Sequence, residues 1–161
     1  MVRQLFSNIV VAVSGSDASI LAAKYAIVMA KLYQCKLFAV YVVDTATIKQ
    51  LTLSKIFVTE ESQEYEKSLE ANGERYLSFV EELATAKGIK IEKELRHGAV
   101  YTEILMAAEE KKADLIILGG WERDRSARDI FSHSHKETMI NAKCSVLLAK
   151  EVNIDQIYKQ A

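Results

Sequence analysis

Two short stretches of this chain carry residues able to bind an anion or a polar small molecule. The first is Ser14-Gly15-Ser16-Asp17-Ala18-Ser19, which follows the apolar run 8–13 and opens a helical pattern. A glycine there lets the backbone approach a ligand closely, and a helix start attracts negative charge. The second is Gly119-Gly120, which ends the apolar run 114–118. Beyond it lie Arg123, Arg125, Arg128, Ser132 and Ser134. Arginine can hold phosphate through charge-assisted hydrogen bonds, and serine at a helix start can donate to an anion. The plainer reading is a solvated polar loop whose serine caps the next helix.

Other residue sets are weaker. His97, His133 and His135 invite a metal reading, but i, i+2 spacing does not align two side chains on one helical face. No cysteine stands near enough in sequence to complete a zinc set, so no metal ligand is assigned. Cys35 and Cys144 lie far apart beside apolar residues, with no CxxC motif. They read as reduced residues at strand starts. Trp121 can stack on a base, cover a neighbouring subunit, or lie over Ile130 and Phe131. No acidic cluster, nucleophile elbow or Ser/His/Asp order stands out, so no catalytic residue is assigned. The turn Ser14-Gly15-Ser16-Asp17 resembles the SGGxDS loop of ATP pyrophosphatases, displaced by one position. That resemblance implies an adenylating enzyme, the least favoured of three readings.

These residues need a frame to position them. The run 8–14 is apolar throughout, as a central parallel strand is. A helical pattern follows over 17–34, capped by Ser16 or Asp17, then a strand over 36–43 closing at Asp44. Residues 45–60 read as a loop or short helix. A long amphipathic helix spans 61–87, with Tyr65, Leu69, Tyr76, Leu77, Val80, Leu83 and Ala84 on one face. Gly88 ends it. A one-sided strand over 89–96 turns at His97-Gly98. There follow a helix over 100–111, a buried strand over 114–118, a polar loop of about a dozen residues, a helix over 133–142 and a strand over 144–149. This β-α alternation predicts an α/β fold, with a doubly wound (Rossmann-like) parallel sheet of five strands. The expected strand order is 3-2-1-4-5 with helices on both faces. One domain is expected over 1–161, with a core of about 6–150 and a tail over 151–161.

Composition narrows the function classes. The chain has 161 residues, half of them hydrophobic, with 21 basic and 22 acidic residues. A net charge of −1 leaves no basic footprint for nucleic acid. No stretch reaches the apolar length of a membrane span or a signal-peptide core, so the cytoplasm is the expected compartment. Proline is absent, so the turns depend on Gly, Ser, Asp and Asn.

Taken in order, these segments resemble the universal stress protein family over nearly the whole chain. The resemblance rests on Ile9-Val10-Val11-Ala12-Val13-x-Gly15-Ser16-x-x-Ser19 and on Val42-Val43-Asp44. It rests further on Gly98 followed by Glu103-Ile104-Leu105, on Ala113 through Gly119, and on Ala142 through Leu148. It implies a small cytoplasmic stress-response module that dimerises, often through its last edge strand. One branch of the family binds ATP through a loop of form G-x2-G-x9-G-[ST]. Here Gly119 matches the first glycine. Glu122, Ser132 and His133 stand at the other three positions, and Ser14 stands where that branch carries an acid.

The first expectation is therefore a non-enzymatic stress-response module, a homodimer pairing edge strand 144–149, with an unknown protein partner and no required cofactor. The alternative is a sensor of ATP, ADP or AMP, with Mg2+, at most slow in ATP hydrolysis. Its site would be Ser14, Gly15, Val42 or Val43, Gly98, Gly119 and Gly120, with Arg123 and Ser132 taking the phosphates.

Overall fold

The computed structural model describes residues 2–120 and 125–161, excepting the side chains of 125–132. Five parallel strands form one sheet: β1 (Asn8–Val13), β2 (Lys36–Asp44), β3 (Ile91–Gly98), β4 (Leu115–Gly119) and β5 (Ser145–Ala149). Their order is β3-β2-β1-β4-β5, the order expected from the β-α alternation. The central strands β1 and β4 are covered on both faces, which is why they are continuous apolar runs rather than alternating ones. On the edge strand β3 only Ile91 is fully buried, and charged residues fill much of the rest.

Side chains alternate across the sheet, and this divides the core in two. Ile9, Val11 and Val13 of β1 and Leu37, Ala39, Tyr41 and Val43 of β2 face helix α1 (Asp17–Tyr33) and helix α3 (Thr59–Thr85). Val10, Phe38, Val40, Ile116 and Leu118 face the other way, against Ile104, Ala107 and Ala108 of α4 (Val100–Glu110). Each fully buried isoleucine, such as Ile9, Ile27 or Ile117, contributes about 1.5–3 kcal/mol by leaving water. The buried face of α1 is rich in alanine (Ala22, Ala23, Ala26, Ala30), which lets its backbone approach the sheet.

Gly73 does the same for α3. A Cβ there would lie 2.6 Å from Leu95 Cδ1 and 2.7 Å from Tyr41 Cδ1. Glycine inside a helix costs roughly 1 kcal/mol against alanine, but here any side chain would crowd Leu95 and Tyr41, so something must shift.

Two open segments resolve into helices, and one helix starts earlier than the sequence suggests. Residues 45–53 are a regular helix, α2 (Thr45–Leu53), because the Asp44 carboxylate accepts from Thr47 N at 3.0 Å and caps it. Helix α5 runs Arg125–Asn141, eight residues earlier than expected. The segment 125–132 contains neither glycine nor proline, so nothing in it breaks a helix. The tail folds back as α6 (Ile154–Gln160), where Tyr158 donates its hydroxyl to Leu83 O at 2.6 Å.

Candidate functional site

The ladder between β1 and β4 pairs Ile9–Leu115, Val10–Ile116 and Val11–Ile117, and ends there. Yet β1 continues to Val13 and β4 to Gly119. On their outer sides both stay paired to the end, Val13 with Tyr41 and Gly119 with Ala149. The two central strands therefore part at their carboxyl ends, at the point where the chain winds outward in both directions. Open α/β sheets bind ligands in such a crevice.

The crevice encloses about 210 Å³. Its floor and walls are Ala12, Val40, Val42, Val100, Ile104 and Leu118, on the α4 side of the sheet. Its polar groups are few: Ser14 and Ser19 from the β1–α1 turn, and Ser134, His135 and Thr138 from α5. Among the described residues no lysine, arginine, aspartate or glutamate lines it. Such a mostly apolar pocket with a few fixed polar groups suits an uncharged, partly aromatic moiety.

The polar rim is rigid. Ser19 is buried, and its hydroxyl donates to Ser14 O at 2.7 Å while accepting from Ser14 N at 3.0 Å. Ser16 caps α1 by accepting from Ser19 N at 3.1 Å, and its hydroxyl lies 3.0 Å from that of Ser14. The spacing Ser14, Ser16, Ser19 thus closes the turn on itself. Opposite, His135 Nε2 lies 3.0 Å from Gly119 O, and Thr138 donates to Ser134 O at 2.8 Å. A carbonyl only accepts, so Nε2 carries the proton in this arrangement.

Of the residues expected at the site, Ser14, Val42 and Gly119 line the crevice. Gly15, Val43, Gly98 and Gly120 do not line it. Val43 is fully buried among α1 and α3 residues, because adjacent residues of a strand point to opposite faces. Gly15 sits under the Tyr76 ring, where a Cβ would meet Cε2 at 3.3 Å. Gly98, at φ +145°, lies against the Glu103 side chain at the end of β3. Gly120 donates its N–H to Ala149 O at 2.9 Å and borders a separate cavity of about 300 Å³ with Tyr25, Lys150 and Ile154. Arg123 and Trp121, and the side chains of Arg125, Arg128 and Ser132, lie outside the described residues.

Gly119 has a packing role that the motif alone did not disclose. A Cβ there would come within 2.7 Å of the Ala18 carbonyl carbon and oxygen. The residue is glycine because α1 crosses the end of β4 at backbone contact. Sequence reading also missed Thr138, and it weighed His135 as a metal ligand or a surface histidine. Ser134, His135 and Thr138 share a helix side at i, i+1 and i+4 within the expected helix, but which side faces the crevice becomes legible only from the packing of α5.

Away from the crevice, both cysteines are free and half-buried, and each thiol is pushed up by burial first and then by the Asp114 charge. Arg96 is nearly buried at the carboxyl end of β3 and binds Glu94 at 2.6 Å, Glu110 at 2.9 Å and Glu103 at 3.1 Å. His97 is exposed near the end of β3 and pairs with a carboxylate there. Its Nε2 lies 2.8 Å from Glu70 Oε1 of α3, with Glu66 one turn away on the same helix.

A doubly wound parallel sheet with its crevice at the β1/β4 switch point defines a Rossmann-like α/β protein. The family model "Universal stress protein family" matches residues 5–150, and the chain belongs to that family. It is 34% identical over 150 residues to a universal stress protein of Methanocaldococcus jannaschii, covering 92% of this chain and 85% of the relative. It is 30% identical to universal stress protein YxiE of Bacillus subtilis, covering 91% of this chain and all of that one. Solved structures agree in fold. Universal stress protein UspA from Lactobacillus plantarum superposes with a TM-score of 0.75 at 22% identity, covering 90% of this chain and 98% of that one. A universal stress protein from Archaeoglobus fulgidus in complex with dAMP does so with a TM-score of 0.64 at 17% identity, covering 91% and 100%. One in complex with cAMP reaches 0.64 at 21% identity, covering 89% and 96%.

Proposed function

We propose that this chain is a non-catalytic stress-response module of the cytoplasm that binds an adenine nucleotide in the β1/β4 crevice. The observation that carries the reading is the crevice itself: about 210 Å³, apolar in its walls, with hydroxyls and one imidazole at its rim. A nucleoside half fits such chemistry, with the base against Val40, Val42 and Ile104 and the ribose near Ser14 and Ser134. The two related structures that hold dAMP and cAMP support an adenine ligand in this fold. The phosphates would leave the neutral crevice toward Gly119 and the arginine-bearing segment after it, where Arg123 and Ser132 remain the proposed recipients. The chain works as one unit over 1–161.

The test is calorimetric titration with AMP, cAMP and ATP, with and without Mg2+, for the wild type and for Val42→Trp. Saturable binding that drops at least about tenfold in the filled-crevice variant supports the reading. No heat at millimolar nucleotide, or equal binding by both proteins, overturns it.

A second reading concerns assembly. β5 is the last strand of the sheet, paired on one side only with β4. An unpaired edge is a template for another strand, and a two-fold pairing of two β5 strands would satisfy both copies. The chain would then act as a homodimer. Sedimentation equilibrium decides it: a two-chain mass supports the dimer, and a one-chain mass across the concentration series refutes it.

A further inference from the structure

We propose that Glu66, Glu70 and His97 form a surface site for a divalent first-row transition ion of the zinc class. Glu66 and Glu70 stand four residues apart on α3, so both carboxylates lie on one helix face. His97 comes from β3, a different element, and brings its Nε2 to 2.8 Å from Glu70 Oε1. One donor atom from each residue lies within 4.8 Å of the others. Donors bound to one Zn2+ at about 2.0–2.2 Å sit roughly 3.4 Å apart in a tetrahedron, so small side-chain rotations suffice. The three side chains are exposed or half-buried and free to make them.

The backbone beneath them is fixed. Gly73, one turn after Glu70, holds α3 against Leu95, two residues before His97 on the same face of β3. The absence of a side chain at Gly73 lets α3 lie close against the Leu95 and Tyr41 side chains of the sheet. The charge balance points the same way. Among the described residues no lysine or arginine pairs with Glu66 or Glu70, whereas the other ion-paired carboxylates each meet one. Glu70 pairs instead with an imidazole, charged only when protonated. A bound dication supplies the missing positive charge, with neutral His97 giving its Nε2 lone pair.

The ligand set selects the ion. Two carboxylates with one imidazole suit zinc and its neighbours, while Mg2+ and Ca2+ prefer all-oxygen shells. Three protein ligands leave a coordination position for water or a partner's side chain. The site is separate from the crevice and does not rest on nucleotide binding.

Chelator-stripped wild-type chain, titrated with Zn2+ against a chromophoric chelator, should take up one ion. Affinity should fall at least about tenfold in each of Glu66→Gln, Glu70→Gln and His97→Asn, and stay unchanged in His133→Asn. Co2+ in place of Zn2+ should give a visible absorption band that His97→Asn abolishes. The melting temperatures of the variants in chelator, compared with wild type, show that each is folded. No uptake at about 0.1 mM Zn2+, or uptake that survives all three substitutions, overturns the proposal.

Discussion

The imidazole of His135 is joined to the main chain of Gly119 by a 3.0 Å hydrogen bond, so the middle of α5 is tied to the last residue of β4. On its other side the same Gly119 is in backbone contact with Ala18 at the start of α1. One residue thus holds two helices at the mouth of the crevice.

Gly119→Ala tests that contact. The added Cβ meets backbone atoms at 2.7 Å, which cannot rotate away. Overpacking of this kind should cost about 1–3 kcal/mol. Urea denaturation of the variant should show a lower midpoint at unchanged slope. Loss of ligand binding in this variant would therefore report damage to the turn as well as to the pocket, which is why Val42→Trp is the better probe.

Ser19→Ala should cost about 1–3 kcal/mol, because it removes a buried hydroxyl that satisfies Ser14 N and Ser14 O together. Ser16→Ala removes one capping bond and should cost about 1 kcal/mol. Thermal unfolding of both variants checks the order, Ser19→Ala below Ser16→Ala below wild type.

The Arg96 cluster predicts an acid limb to stability. Hydrogen bonding to Arg96, and then its charge, hold the Glu110 carboxyl below its ordinary value of 4.5. A carboxylate with a lowered folded value adds stability that is present above 4.5. That stability is lost as pH falls through the lowered value. Glu110→Gln should flatten the fall of melting temperature with pH in that range, while leaving the neutral-pH slope alone. Arg96→Met is harsher. It leaves the half-buried Glu94 and Glu103 carboxylates without their cation and should cost about 1–3 kcal/mol.

Both thiols should be slow. Burial and the Asp114 carboxylate raise Cys35 and Cys144, so little thiolate forms near neutral pH. Alkylation by iodoacetamide at pH 8 should run slower than for a free thiol, and it should speed up on unfolding in urea.

Most of the frame was legible in the sequence because parallel sheets write themselves as apolar runs. Val10-Val11 and Ile116-Ile117 could only be central strands, and Gly88 marked a helix end that its φ of +74° bears out. What stayed hidden was tertiary. Val42 and Val43 could not be told apart without knowing which sheet face carries the crevice. Gly119 looked like a phosphate-loop glycine, but its need for glycine comes from Ala18, a hundred residues earlier. Glu66, Glu70 and His97 share no local pattern, since a helix and a strand from different parts of the chain must meet to assemble them. The start of α5 was placed late because a run of charged and hydroxyl residues resembles loop composition even where no breaker interrupts it.

The early end of the β1–β4 ladder has one more consequence. Where these strands part, Ala12 and Val13 of β1 and Leu118 and Gly119 of β4 face one another with no β1–β4 ladder pairing, and their spacing is set by strand pairing further down the sheet. A ligand edge read there is read by amide groups that every amino acid shares. Randomising the crevice walls would then alter how tightly a ligand is gripped but leave which of its edges faces inward, so selectivity and affinity in this protein should be separately mutable.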